Sequence, residues 1–282
     1  MEYKTFFFSF LREGNLKKNK DLEVNKIDCG DCLELMPQIE NGKIDLILTD
    51  LPYGTTACKW DTIIPFEPLW EQHKRIIKPN GAIVLTSAQP FTSALIMSNP
   101  KWFKYEWIWQ KHKGTGHLNA KRKPMSNHEN VLVFGKSTIT YNPQMTNGEP
   151  YKLRGSHNVS PDGIAYNGSK PLAVGYSDDY DSSKRYPLTI QKFDNHNQKN
   201  ERLHPTQKPV ALFEYLIKTY TNEGDLVLDN CAGSGTTAIA CLNTKRQFIV
   251  MEKEQKYYDI ILKRVGDFNK NFETQTLFRN EM

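Results

Sequence analysis

The chain has 282 residues, 38% of them hydrophobic, enough to bury a core in one large domain or in one domain with an insertion. No run approaches the roughly 18 to 20 apolar residues of a membrane span. The Phe6-Phe7-Phe8-Ser9-Phe10 run lacks the length and small-residue cleavage site of a signal peptide, so a cytoplasmic protein is expected. A net charge of +5 is modest, and five cysteines at scattered spacing suit reduced thiols better than a disulfide framework.

Residues 1–25 form an N-terminal extension. Cys29-Gly30-Asp31-Cys32 then has the C-x-x-C form, but no second ligand pair follows, which argues against metal. Lys43 to Thr49 predicts a buried strand, running into Leu48-Thr49-Asp50-Leu51-Pro52-Tyr53-Gly54. That turn holds a carboxylate, a proline and an aromatic ring within four residues. Pro65 to Ile77 predicts a helix, ended by Lys78-Pro79-Asn80-Gly81. Gly81 to Ser87 predicts a second buried strand, and a short helix starts near Pro90.

Between Lys101 and Pro124 lie Lys101, Lys104, Lys111, Lys113, Lys121, Arg122 and Lys123, opposed only by Glu106. Phe103, Tyr105, Trp107 and Trp109 alternate with other residues at the period of a half-buried strand, so these aromatics belong mostly to the core. The loop after them offers Lys111, Lys113, Lys121, Arg122 and Lys123 to an anionic polymer such as DNA. Strands are expected at Glu106 to Trp109 and Asn130 to Phe134. From 135 to 203 the composition shifts to Gly, Ser, Asn, Asp, Pro and Tyr with no lasting apolar period, which marks an insertion.

Order returns at His204. Thr206 caps a helix, Pro209 lies in its first turn, and Leu212, Tyr215, Leu216 and Thr219 share a face. A strand at Asp225 to Asp229, a glycine loop, a helix through Ala238 to Leu242, a strand at Gln247 to Met251 and a helix at Gln255 to Phe268 complete the series. Alternating strands and helices predict an α/β fold whose mostly parallel sheet is covered on both faces.

Asp229-Asn-Cys-Ala-Gly233-Ser-Gly235-Thr236-Thr-Ala238 has the G-x-G-x-x-A form between strand and helix, and Glu252 ends the next strand. That context predicts a nucleotide-type ligand, with Glu252 on its ribose hydroxyls. Asp229 beside the loop would repel a pyrophosphate. It suits the ammonium and sulfonium of S-adenosylmethionine.

Asp50-Leu-Pro-Tyr53, His204-Pro-Thr-Gln-Lys208-Pro209 and the Asp229–Gly235 stretch, in that order, resemble the DNA amino-methyltransferases, and their order resembles the β group of that family. The resemblance spans about Lys26 to Phe134 and His204 to Phe268, and departs from the usual Pro-Pro at Leu51-Pro52. It implies a Rossmann-like methyltransferase fold with permuted motifs. Residues 26–134 would be the catalytic half, 135–203 a target-recognition insertion, 204–270 the cofactor-binding half and 271–282 a tail. It implies S-adenosylmethionine as cofactor, held by Asp31 at the adenine, by Thr206 and Lys208 at the methionine end, and by Asp229, Gly233, Gly235, Thr236 and Glu252. An Asp at position 50 implies adenine N6 as the methylated amine in double-stranded DNA, with cytosine N4 as the alternative.

In this reading the Asp50 carboxylate and a carbonyl of Leu51 or Pro52 hold the amine, and Tyr53 stacks on a flipped-out base. Arg154, His157, Asn158, Asn167, Lys184, Arg185, Asn195, His196 and Asn197 are candidate base readers. No nuclease is visible, so a restriction endonuclease partner would be a separate chain, and a homodimer stays open. A nicotinamide-dependent oxidoreductase would share the glycine loop but has no use for the Asp-Leu-Pro-Tyr turn. A catalytically inactive nucleic-acid-binding module would not need that turn intact.

Overall fold

The computed structural model describes residues 24–55, 58, 61–150, 183–194, 203 and 207–280, the stretch 273–280 by backbone alone. Its strands are β1 (Lys26–Cys29), β2 (Ile44–Asp50), β3 (Ile77–Ser87), β4 (Phe103–Thr115), β5 (Ser126–Phe134), β6 (Thr146–Asn147), β7 (Lys184–Arg185), β8 (Ile190–Lys192), β9 (Leu226–Asp229) and β10 (Gln247–Glu252). Its helices are α1 (Cys32–Leu35), α2 (Phe66–Ile76), α3 (Phe91–Ser98), α4 (Val210–Tyr220), α5 (Thr236–Thr244) and α6 (Gln255–Asn280).

Eight strands form one sheet in the order β1-β10-β9-β2-β3-β5-β4-β8. Only β5 runs against its neighbours; every other pairing in this sheet is parallel. The chain starts at one edge with β1, jumps to the centre with β2, and builds outward through β3. Much later it returns with β9 and β10 to fill the gap it left. That return sets β2 beside β9 and creates a switch point, where the strand ends leave a crevice for a ligand.

Alternation along the strands explains the two covered faces. Leu46 and Leu48 pack with Val84, Trp107 and Trp109 under α4 and α5, whereas Ile47, Ile83 and Leu85 pack against α2 and α3. A register shift between Ile44 and Leu46 moves Ile44 to the second face despite its parity. The aromatic strand is core where it counts, with Trp107 at 5% and Trp109 at 2% exposure. Their indole N–H groups donate to the Tyr220 hydroxyl at 2.6 Å and the Phe193 carbonyl at 2.9 Å.

The structure corrects several boundaries. Strand β3 takes over directly from α2 at Ile77, where a turn through Gly81 was expected. Gly81 permits this because a Cβ there would lie 2.8 Å from the Asp45 carbonyl. Strand β4 runs on to Thr115, so Lys111 and Lys113 are strand residues, not loop residues. The segment expected to be irregular contributes β8, which pairs with Ile108 to Gln110 of β4 and extends the sheet. Helix α6 continues to Asn280, past the expected end at Phe268, because no proline interrupts it.

Candidate active site

Strand pairing of Leu46 with Val227 and Ile47 with Leu228 makes Asp50 and Asp229 leave the sheet at the same edge. Asp50 is surrounded by donors. Thr86 Oγ1 donates to its Oδ1, the Tyr53 hydroxyl lies 2.9 Å from the same atom, and Lys208 Nζ contacts Oδ1 at 2.7 Å and Oδ2 at 2.6 Å. Leu51, where the chain leaves the family pattern, is 3% exposed and packs into the core layer of α2 and α3. Its apolar side chain therefore anchors the turn from below. No described residue donates to the carbonyl of Leu51 or Pro52.

The turn is held from its far side by Asp61, a residue the sequence did not single out. Its carboxylate accepts the N–H groups of Gly54 and Thr55, both at 2.9 Å. Gly54 has φ of +67°, a left-handed conformation that glycine adopts without strain. Phe91 stacks on Tyr53 with ring centres 5.3 Å apart, so one face of that ring is already covered. Burial, then the charges of Asp50 and Glu129, push the Tyr53 hydroxyl well above its ordinary pKa, so it stays a neutral donor.

Lys208 was expected at the methionine end of the cofactor. Its ammonium contacts both Asp50 oxygens, with Glu129 at 3.3 Å, and its side chain is only 6% exposed. Burial opposes the charged form, but Asp50 and Glu129 outweigh it and hold the pKa above the usual lysine value. Lys111, expected to face DNA, pairs with Glu129 and has a side chain only 12% exposed. Both lysines face Glu129, a carboxylate that no sequence period flagged, because it precedes the apolar part of β5.

The other residues expected to hold the cofactor gather on the neighbouring strand ends. Glu252, ending β10, accepts the N–H of Gly233 at 2.7 Å and of Glu254 at 2.8 Å. Burial raises its pKa while these N–H groups lower it. Asp229 is 2% exposed and accepts from Thr237 Oγ1 and from Cys231 N–H. Burial pushes its carboxyl up to about 7, opposed by those two hydrogen bonds and helped by the charges of Asp50 and Glu252. Thr236 opens α5, its hydroxyl 3.3 Å from the Lys208 carbonyl. Gly235 has φ of +78°, and a Cβ there would approach Ile261 of α6 to 2.9 Å. Asp31 caps α1 through the Leu33 N–H and takes Lys253 Nζ at 3.0 Å, which lowers its pKa. Thr206 lies outside the described residues.

This donor set fits S-adenosylmethionine. Glu252 is a carboxylate of the kind that binds ribose hydroxyls, beside a glycine loop whose backbone a ligand can approach. Four carboxylates (Asp31, Asp50, Asp229 and Glu252) meet two lysines, Lys208 and Lys253, each already paired with one of them. Such an edge favours a cation and disfavours a pyrophosphate.

Behind the crevice His73 and Asn230, neither expected, form a buried polar link. His73 Nε2 lies 3.1 Å from Asn230 Oδ1, and Thr49 Oγ1 donates to that oxygen at 3.0 Å. His73 Nδ1 has no hydrogen-bond partner among the described residues. Burial, countered only by Asn230, lowers the His73 pKa to about 4.

The β4–β5 hairpin carries the basic cluster away from the core. Lys113, Lys121, Arg122 and Lys123 make no ion pair among the described residues, and Leu118 at the tip is fully exposed. Of the candidate base readers, Lys184 and Arg185 lie in β7, paired with β6. Arg154, His157, Asn158, Asn167, Asn195, His196 and Asn197 lie outside the described residues. No described helix is long and apolar enough to cross a membrane.

The family model for N6/N4 DNA methylases matches residues 44–263. The chain is 32% identical to the type II methyltransferase M1.MboII of Moraxella bovis over 84% of its own length and 94% of that protein. It is 27% identical to the DNA adenine methyltransferase YhdJ of Escherichia coli (strain K12), over 86% of its length and 83% of that relative. Its fold matches the crystal structure of the M1.HpyAVI–SAM complex with a TM-score of 0.56 at 23% identity, covering 85% of this chain and 98% of that one. The oxidoreductase and inactive-module alternatives fall with these matches. The chain belongs to the N6/N4 DNA methylase family and is an S-adenosylmethionine-dependent DNA methyltransferase.

Proposed function

We propose that the protein methylates adenine N6 in duplex DNA after the base has left the stack. The observation that carries this reading is the position of Asp50, a carboxylate at the end of β2 next to Asp229 at the end of β9. S-adenosylmethionine supplies an electrophilic methyl group on a sulfonium. Glu252 would hold its ribose, Asp31 its adenine, and Asp229 with the Gly233–Gly235 loop its methionine end.

An exocyclic amine is a poor nucleophile because its lone pair is delocalised into the ring. Asp50 accepts one N–H and the carbonyl of Leu51 or Pro52 accepts the other, which fixes the nitrogen and favours a localised lone pair. Pro52 restricts the backbone so that the carbonyl stays aimed. Tyr53 stacks on the base, a contact that requires flipping. Lys113, Lys121, Arg122 and Lys123 neutralise phosphates. The segment around β6 to β8, with the residues between them, reads the target sequence.

Two features support adenine over cytosine: the Asp at position 50 and the likeness to an adenine methyltransferase. Incubation with labelled S-adenosylmethionine and duplexes whose only amine-bearing candidates are adenine or cytosine tests the reading. Label on adenine is the expected result, and label on cytosine N4 would overturn the base assignment. Asp50→Ala should abolish transfer while S-adenosylmethionine still binds; retained activity would remove Asp50 from the mechanism.

A further inference from the structure

Asp50 and Glu129 share one buried ammonium unequally. Lys208 Nζ sits 2.7 and 2.6 Å from the Asp50 oxygens but 3.3 Å from Glu129 Oε2. Charge-assisted N–H···O bonds close to roughly 2.7–2.9 Å, so the contact with Glu129 is only partly made. The two oxygens of Glu129 are divided between tasks. Oε1 pairs with Lys111, while Oε2 faces Lys208 and, at 3.5 Å, the Tyr53 hydroxyl. Oε2 is therefore an acceptor in reserve beside the catalytic turn.

The target amine and Lys208 compete for the same carboxylate. Oδ1 of Asp50 already faces Thr86, Tyr53 and Lys208, which leaves Oδ2 as the position an amine N–H can claim. An ammonium left on Asp50 would also repel a nitrogen that gains positive charge during methyl transfer, and it would do so in a site of low dielectric. We infer that Glu129 is a positioning residue for the reaction, whose Oε2 takes up the Lys208 ammonium when the amine claims Asp50. The inference rests on the reading of Asp50 as the acceptor of the amine. Bonds are exchanged, not made or broken covalently: Lys208 lengthens its contact with Asp50 and completes the one with Glu129. A charge that stays within the pocket keeps its desolvation unchanged, and Lys111 on Oε1 keeps the Glu129 side chain in place.

Single-turnover methyl transfer tests this, on a duplex bearing the site mapped by sequencing methylated DNA from an expressing host. Glu129→Gln keeps the shape but weakens the acceptor, and should slow transfer roughly 10- to 100-fold, the equivalent of one charge-assisted hydrogen bond. The affinity for S-adenosylmethionine, by calorimetry, should stay unchanged, any melting loss from unpairing Lys111 should leave the enzyme folded at the assay temperature, and Glu129→Asp should recover most of the rate. In a Lys208→Met background there is no ammonium to take up, so adding Glu129→Gln should slow the enzyme no further. An unslowed E129Q enzyme, an equal loss in the K208M background, no recovery in E129D, or a melting loss that accounts for the rate would each overturn the proposal. Activity in D50A sinks the underlying reading; a dead D50A with an unslowed E129Q sinks this inference alone.

Discussion

The carboxylate of Glu252 accepts the backbone N–H of Gly233 at 2.7 Å, so the end of β10 holds the glycine loop of β9 in shape. One residue thus supports the loop and presents a carboxylate to the crevice. Glu252→Ala should lower the melting temperature and weaken S-adenosylmethionine binding roughly 10- to 100-fold. Glu252→Gln keeps one acceptor oxygen for Gly233 and should restore melting more than affinity. Calorimetric titration alongside thermal melts separates the two roles; equal affinity in E252A and wild type would take Glu252 out of the site.

Asp229 and His73 make opposite contributions to stability as pH changes. The Asp229 pKa is raised to about 7, so its stabilising proton is fully present below the unfolded value and is lost as pH rises through about 7. The His73 pKa is lowered to about 4, so its neutral form contributes fully above the unfolded value near 6.5, and that contribution is lost as pH falls toward 4. The effects are roughly 4 kcal/mol for Asp229 and roughly 3 kcal/mol for His73, and between about 4 and 6.5 they largely cancel. Urea unfolding across pH should therefore be shallow in wild type. Asp229→Asn should lose stability in acid and His73→Leu should lose it toward neutral pH. Parallel profiles for all three proteins would contradict both assignments.

Ionised Asp229 also favours a cationic ligand. S-adenosylmethionine affinity should rise with pH through 7 in wild type and show a flatter profile in Asp229→Asn. Calorimetry at pH 6 to 8 checks this, and a pH profile unchanged by the substitution would refute it.

Gly235→Ala combines a left-handed backbone, φ +78°, with a Cβ 2.9 Å from Ile261. The backbone penalty alone is roughly 1–2 kcal/mol, and the contact forces α6 away from the loop. A lower melting temperature together with weakened cofactor binding is expected. Ile261→Val should recover little of the loss, since valine keeps both γ-carbons that the new Cβ would meet.

On the β4–β5 hairpin, replacing Lys121, Arg122 and Lys123 together with Gln should weaken DNA binding. If all three meet phosphates, the slope of log affinity against log salt should fall by about 2.7, at roughly 0.9 per phosphate contact on duplex DNA. Lys111→Gln, by contrast, should leave that slope unchanged, because its charge is spent on Glu129. Fluorescence anisotropy across a salt series measures both.

Most elements could be read from the chain because the central sheet is covered on both faces. Buried parallel strands such as Ile44 to Leu48 and Gly81 to Ser87 stand out as apolar runs, and glycine and proline mark their ends. Extended elements were harder. Strand β4 passes into Lys111 and Lys113, whose charges look like loop, and β8 is three residues long on an edge. Glu129, His73 and Asn230 were missed for a related reason: each acts through partners distant in sequence, a link that even the motif position of Asn230 does not reveal, whereas Asp61 binds the nearby turn at Gly54 and Thr55 but belongs to no motif.

The sequence by itself determined the chemistry on offer: an acidic proline turn, a glycine loop with an acid one strand later, and the order in which they occur. Local spacing suffices for that, because each motif is a strand end and its turn. Tertiary structure alone decided which groups share a space. Lys208 and Asp50 stand 158 residues apart, and only the late return of β9 and β10 to the gap beside β2 brings α4 and its leading lysine over the Asp-Leu-Pro-Tyr turn. Buried charge must find its counter-charge wherever the fold puts one, so the partner of Asp50 was a property of the sheet order and not of any local pattern.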